Sequence, residues 1–207
     1  MKFRLALFDL DGVLIDSRAN MEAAWTHVCE TFGLNIPFEQ YFAEIGLPFA
    51  EIMDRIGAPG NRADLAAAYS RGSLAAFDRI RVYDGIGPLL RILRDSAISI
   101  GIVTSKDAAR TARAIDLIGT PFDTVRPPAP DLAGKPAPDQ LLAAAADLGI
   151  PPGAAIYIGD MAVDMAAARN AGMAYAHAAW GYGAVPDECD VVADDPADLV
   201  RILTGNP

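Results

Sequence analysis

Leu5-Ala6-Leu7-Phe8-Asp9-Leu10-Asp11-Gly12-Val13-Leu14 runs from four apolar residues into two carboxylates spaced two apart, with a glycine directly after them. A short unbroken apolar run suits a strand buried on both faces, the kind that parallel sheets contain. Paired acids would be repelled from the core such a strand enters, so they belong at its end. Neighbours in a strand alternate sides, which sets Asp9 and Asp11 on one face, and Gly12 lets the backbone turn sharply behind them. A plain acidic surface turn is the alternative reading. If the two acids converge, one pKa rises unless a cation lies between them. Magnesium suits that place, because it takes oxygen ligands, keeps several waters and is usually held by one or two carboxylates plus substrate phosphate.

Three further apolar runs read as strands: 98–103, 154–158 and a weaker one over 173–178. Between them lie helical patterns, Ile86, Leu89, Leu90 and Leu93, then Ala108, Ala112 and Ile115, then Leu141, Leu142, Ala145 and Leu148. A short strand at 191–193 precedes Pro196 and a closing helix over 197–203. Strands alternating with helices imply an α/β fold with a doubly wound, Rossmann-like parallel sheet. Residues 17–81 break the alternation. Met21, Trp25, Val28 and Phe32 form one helical stripe, Leu65, Tyr69 and Phe77 suggest another, and breaks at Gly33, Pro37, Pro48 and Pro59-Gly60 divide the stretch into four helices. The expected organisation is a core of 1–16 and 82–207 with an all-helical cap of 17–81. The insert begins just after the paired acids, at the strand end where open α/β sheets bind ligands, so it is expected to act as a lid.

With 207 residues, 52 % of them hydrophobic, the chain can bury one sizeable core with a modest insert. Its 27 acidic and 17 basic residues give a net charge of −10, which opposes nucleic acid and anionic membrane as partners and leaves small molecules. The N-terminal apolar run is broken by Asp9 and Asp11 before it could serve as a signal peptide, and no run approaches a membrane span, so the expected location is the cytoplasm. Cys29 and Cys189 signal neither a disulfide framework nor a zinc site. No sequence stripe identifies an oligomer interface.

Further polar residues follow the apolar runs. Thr104 and Ser105 come directly after 98–103, where their hydroxyls and adjacent amides could hold phosphate oxygens, although capping of the next helix also explains them. Lys135 lies in Gly134-Lys135-Pro136-Ala137-Pro138, a stiff, extended setting. Only Lys2, Lys106 and Lys135 are lysines, so a fixed lysine near paired acids and a phosphoryl group reads as charge neutralisation. Asp160 and Asp164, spaced i and i+4 after 154–158, could both face a metal, while capping and the helix dipole explain each singly. Capping does not explain why all these groups fall on one edge of one sheet.

These motifs, in this order, resemble the haloacid dehalogenase superfamily in its phosphoglycolate phosphatase-like branch. Asp9 to Leu14 looks like its first motif, Val103-Thr104-Ser105-Lys106 its second, Lys135-Pro136 its third, and Gly159-Asp160 with Asp164 its fourth. The helical insert and Trp180-Gly181-Tyr182-Gly183 are similar to that branch as well. The resemblance implies hydrolysis of a small phosphomonoester, of phosphoglycolate or sugar phosphate type, through an aspartyl-phosphate. It makes Asp9 the nucleophile and Asp11 the acid and base, with Thr104, Ser105 and Lys135 on the phosphoryl oxygens. It implies magnesium held by Asp9, the Asp11 carbonyl and Asp160, with Asp164 acting through water or orienting its neighbours. The second aspartate disfavours a dehalogenase, and a cap without lysine disfavours a phosphonatase. A β-phosphoglucomutase-like phosphotransferase and a non-enzymatic phospho-acceptor module are the alternatives. Arg18 and Asn20 follow the first motif closely enough to face the cleft and are expected to bind the leaving group. Neither His27 nor His177 is expected to take part.

Overall fold

The computed structural model describes residues 3–205. Its secondary structure begins with β1, Leu5–Phe8, and β2, Ile15–Asp16. The helices α1 Arg18–Phe32, α2 Phe38–Phe42, α3 Phe49–Arg55 and α4 Arg62–Ala75 follow, and then β3, Arg81–Val82, which pairs with β2. Helix α5 spans Ile86–Asp95, β4 Ser99–Val103, α6 Ala108–Ile118, β5 Thr124–Arg126, α7 Asp139–Asp147 and β6 Ala155–Gly159. The chain finishes with α8 Ala162–Asn170, β7 Ala174–Ala178, β8 Val191–Ala193 and α9 Pro196–Thr204. It divides into two compact units, Met1–Asp16 with Val82–Pro207, and Ser17–Arg81.

The larger unit is a parallel six-stranded sheet in the order β5-β4-β1-β6-β7-β8 with helices against it. Every residue of β1 is fully buried. Leu5 and Leu7 pack with Tyr157, Tyr175, Leu141 and Ala168 in one cluster, which seats α7 and α8 on that face. Helix α5 buries Ile86, Leu89, Leu90 and Leu93 as a single stripe, as its spacing requires. The doubly wound α/β fold is therefore as the alternation of runs implies. Two details of this unit differ. Strand β5 escapes sequence reading because its three residues include Thr124 and Arg126 rather than an apolar run. It is fastened from outside, where the Asp147 carboxylate accepts from Thr124 Oγ1 at 2.6 Å and Arg126 Nε at 2.9 Å. Helix α9 starts at Pro196, because proline suits a first helical position and Asp195 caps the helix by accepting from Asp198 N at 2.7 Å. No described helix is long and apolar enough to cross a membrane.

In the helical unit α4 ends at Ala75 and Phe77 lies in a 3-10 turn, Phe77–Arg79, so Phe77 does not continue the Leu65–Tyr69 stripe. Trp25 stacks on Tyr41 with ring centroids 4.8 Å apart, and its indole donates to the Ile36 carbonyl at 2.9 Å. Helices α1 and α4 approach so closely that a Cβ at Gly72 would lie 2.9 Å from the His27 Cβ. Asn20, fully buried, fastens this contact: its Nδ2 donates to the carbonyls of Ser73 at 2.7 Å and Ala76 at 2.9 Å, and its Oδ1 accepts from Ser73 Oγ at 2.7 Å. The expectation that Asn20 meets a leaving group is corrected accordingly, since its amide is committed within its own unit. Removing a partner and orphaning buried carbonyls costs about 1–3 kcal/mol for each group left unsatisfied. Asn20→Ala should lower stability by about 2–3 kcal/mol in thermal or urea unfolding. Asn20→Asp should lower it further, because a carboxylate would face two carbonyls; an unchanged midpoint in both would refute the role.

Candidate active site

The carboxyl ends of β1, β4 and β6 lie side by side, with β1 in the middle and the later strands added outward from it in opposite directions across the sheet. Such a switch point is where open α/β sheets form a crevice. Asp9, Thr104 and Asp160 are the first residues beyond those three strands. Asp9 stays in register, its N–H donating to the Ile158 carbonyl at 2.8 Å. Gly12 follows with φ +83°, and a Cβ there would lie 2.1 Å from the Asp160 Oδ2. Only glycine allows that approach. A Cβ at Gly181 would likewise come within 2.3 Å of the Asp160 Cβ, so two glycines wall this acid.

Asp9, Asp160 and Asp164 are all buried, and they offer carboxylate oxygens within 4.8 Å of one another. Lys135, 1 % exposed, reaches between two of them, with Nζ 3.0 Å from Asp9 Oδ1 and 2.6 Å from Asp164 Oδ1. Tyr157 Oη lies 3.2 Å from both that ammonium and Asp164 Oδ1, and 3.1 Å from the Val103 carbonyl. Asp164 Oδ2 accepts from Met161 N at 3.1 Å. Asp164 is thus the third residue of α8, satisfied on both oxygens, whereas Asp160 precedes the cap position and does not cap the helix. Asp160 Oδ2 accepts from the Tyr182 N–H at 2.7 Å, and its Oδ1 is buried without a hydrogen-bond partner among the described residues. A buried carboxylate oxygen left open beside two other acids fits a hard divalent cation.

Burial pushes the Asp9 carboxyl up to about 7, with the nearby Asp164 and Asp11 adding to the rise and Lys135 opposing it. Burial, together with Asp164 and Asp9, also holds Asp160 well above the usual carboxylate range. Burial would lower the Lys135 ammonium, but Asp164 and Asp9 outweigh it and hold the ammonium above its ordinary value, so it stays charged. One lysine among three carboxylates leaves the centre short of positive charge.

Asp11 stands apart from this triad. Its Oδ1 lies 3.0 Å from Nζ of Lys106, whose side chain is 3 % exposed. Its Oδ1 is therefore turned to a lysine, and Asp11 is not among the clustered acids. Burial lowers the Lys106 ammonium, with Asp11 offsetting part of the shift. Thr104 is buried, its Oγ1 accepting from Lys106 N at 3.1 Å, and Ser105 beside it is half-buried. Lys106 and Tyr157 were not assigned roles by sequence reasoning. For Lys106 the rarity of lysine was a usable signal; for Tyr157, inside an apolar strand, none existed. Arg18 belongs to the helical unit, where its guanidinium stands 3.9 Å from the Phe42 ring centroid and 3.8 Å from the Glu39 carboxylate. His177 is fully buried, its Nδ1 3.1 Å from Tyr175 Oη.

A parallel α/β core that brings acids and a buried lysine together at its switch point has the arrangement of an enzyme centre. Residues 6–178 match the haloacid dehalogenase-like hydrolase family. The chain is 28 % identical over 225 residues to a phosphoglycolate phosphatase of Xanthomonas campestris, covering 96 % of each chain. It is 27 % identical over 219 residues to an N-acetylmuramic acid 6-phosphate phosphatase of Pseudomonas aeruginosa, covering 98 % of this chain and 96 % of that one. A haloacid dehalogenase-like hydrolase structure from Streptococcus pneumoniae superposes with a TM-score of 0.84 at 25 % identity, covering 97 % of this chain and 98 % of the other. The chain belongs to the haloacid dehalogenase-like hydrolases. Its family is one of hydrolases, and the two relatives named above are phosphatases.

The charge imbalance has a measurable consequence for stability. Without a bound cation, Asp160→Asn removes one like charge while keeping an oxygen for the Tyr182 N–H. At pH 8 in the presence of a chelator it should raise the melting temperature by about 2–4 °C, which corresponds to about 1 kcal/mol for a protein of this size. A fall in melting temperature under those conditions would contradict the account.

Proposed function

We propose that the chain is a magnesium-dependent phosphatase acting on a small phosphomonoester, of phosphoglycolate or sugar phosphate type, through an aspartyl-phosphate on Asp9. The observation that carries the reading is the buried Asp9 carboxylate held beside Lys135 and two further acids, one of which keeps an open oxygen. A lysine within reach of the nucleophile would draw in the phosphoryl group that the carboxylate alone would repel.

In the first half-reaction a carboxylate oxygen of Asp9 attacks phosphorus in line, and the bond from phosphorus to the ester oxygen breaks. Asp11 donates a proton to that departing oxygen, so the alcohol leaves neutral. In the second half-reaction Asp11, now ionised, takes a proton from water, whose oxygen attacks phosphorus and releases inorganic phosphate from Asp9. Lys106, paired with Asp11, positions its carboxylate for both transfers. Lys135 and the Thr104 hydroxyl serve the phosphoryl oxygens, with Ser105 beside them. Asp9, Asp160 and the Asp11 carbonyl would hold magnesium, while Asp164, occupied by Lys135, Tyr157 and Met161 N, acts through water and orients the lysine. When bound, the ion supplies charge neutralisation between Asp9 and the phosphate. The helical unit is the expected lid and selector of the leaving group.

Phosphate release from a panel of phosphoglycolate, sugar phosphates and an aryl phosphate should require magnesium, and Asp9→Asn should abolish it. Turnover that persists in the variant would overturn the assignment of the nucleophile. Cation binding should also respond to pH. Asp9, pushed up to about 7, must lose its proton to serve as a ligand, so binding expels a proton at low pH and tightens as pH rises. Calorimetric titration with magnesium should show affinity increasing by about tenfold between pH 6 and pH 8. An affinity that stays flat over that interval would refute the coupling.

A further inference from the structure

The helical unit contains a groove of about 610 Å³, within the volume range of small-molecule sites, whose lining includes His27, Arg71, Gly72, Ala75, Asp78 and Arg79. All of it lies between 17 and 81, so it is formed by α1, the end of α4 and the 3-10 turn alone. Small residues, Gly72, Ala75 and Ala76 among them, make up part of the lining, and at Gly72 α1 and α4 are too close for a side chain.

The unit has six arginines and no lysine. Arg18 is paired with Glu39, Arg55 with Glu44 and Glu51, and Arg62 with Asp54, while Arg81 donates to the carbonyls of Asp78 and Ile80. Arg71 and Arg79 are the remaining two, both exposed, and among the described residues neither has a carboxylate or carbonyl partner for its guanidinium. Both line the groove. In a chain of net charge −10, with acids outnumbering bases, two arginines left unpaired at one concavity stand against the general pattern. Asp78 is the opposing charge there, which leaves the groove net positive by one even with His27 neutral. A monoanion would about balance that charge. Planar guanidinium forks that offer paired N–H donors match phosphate oxygens.

We propose that this groove binds a small phosphate-bearing molecule, with Arg71 and Arg79 gripping the phosphate and the small residues of the lining accommodating its body. The site is built by the helical unit alone and stands independently of the chemistry assigned to the sheet edge.

The test is a titration of the isotope-labelled full chain with inorganic phosphate, at constant ionic strength and with a chelator present, followed by amide resonances. Gly72, Ala75 and Ala76 should shift saturably. Arg71→Ala combined with Arg79→Ala should weaken that response at least tenfold while leaving the amide spectrum of the sheet unit unchanged. Malonate, a dicarboxylate, should bind more weakly than phosphate. Shifts that fail to saturate, or that persist unchanged in the double variant, would overturn the site. Malonate binding as tightly as phosphate would overturn the phosphate assignment. Shifts relayed to the groove from phosphate bound at Asp9 and Lys135 would persist in the double variant, so their loss in that variant separates the two sites.

Discussion

The ammonium of Lys135, buried between Asp9 and Asp164, is the contact on which the remaining arrangement depends. A charge taken out of water is tolerated only when paired and hydrogen-bonded. Lys135 meets that condition through two carboxylates and the Tyr157 hydroxyl. The acids meet it only in part, since three of them share one cation. That shortfall is the source of the raised Asp9 and Asp160 carboxyls, and it is what a divalent ion or a bound phosphoryl group with its ion would relieve. The fold supplies the position: three adjacent parallel strands end on one edge, and the first residue past each faces the same crevice.

Much of this was legible in the chain because the physics is local. Leu5 to Phe8 is too apolar to be anything but buried, and the acids after it too polar to follow it inward. Asp160 and Lys135 could be placed by the same reasoning, from an apolar run in one case and a proline-stiffened segment in the other. The organisation of 17–81 as helices followed from apolar spacing and from glycine and proline breaks.

What was not legible depends on contacts distant in sequence. Strand β5 has little apolar character of its own and is secured by Asp147, a residue of a later helix. Asn20 looked like a ligand-facing polar residue because nothing nearby in sequence announces that Ser73 and Ala76 would surround it. Phe77 fell on a helical stripe, but the helix had already ended at Ala75. The division of labour between the first two aspartates was also hidden: Asp9 joins the acid cluster and Asp11 turns to Lys106, although the two are separated by a single residue.

The two glycines that wall Asp160 bear on which cation the centre can accept. With Gly12 and Gly181 pressed against its side chain and the Tyr182 N–H fixing one oxygen, this carboxylate has no room to swing. An ion held there has to come to the ligand, because the ligand cannot adjust to the ion. Calcium is served by ligand sets that spread and shift to admit six to eight oxygens, whereas magnesium demands a fixed octahedron and brings its own waters to complete it. Discrimination between the two would then reside in an absence of side chains: selectivity by confinement, set by two residues that touch no metal.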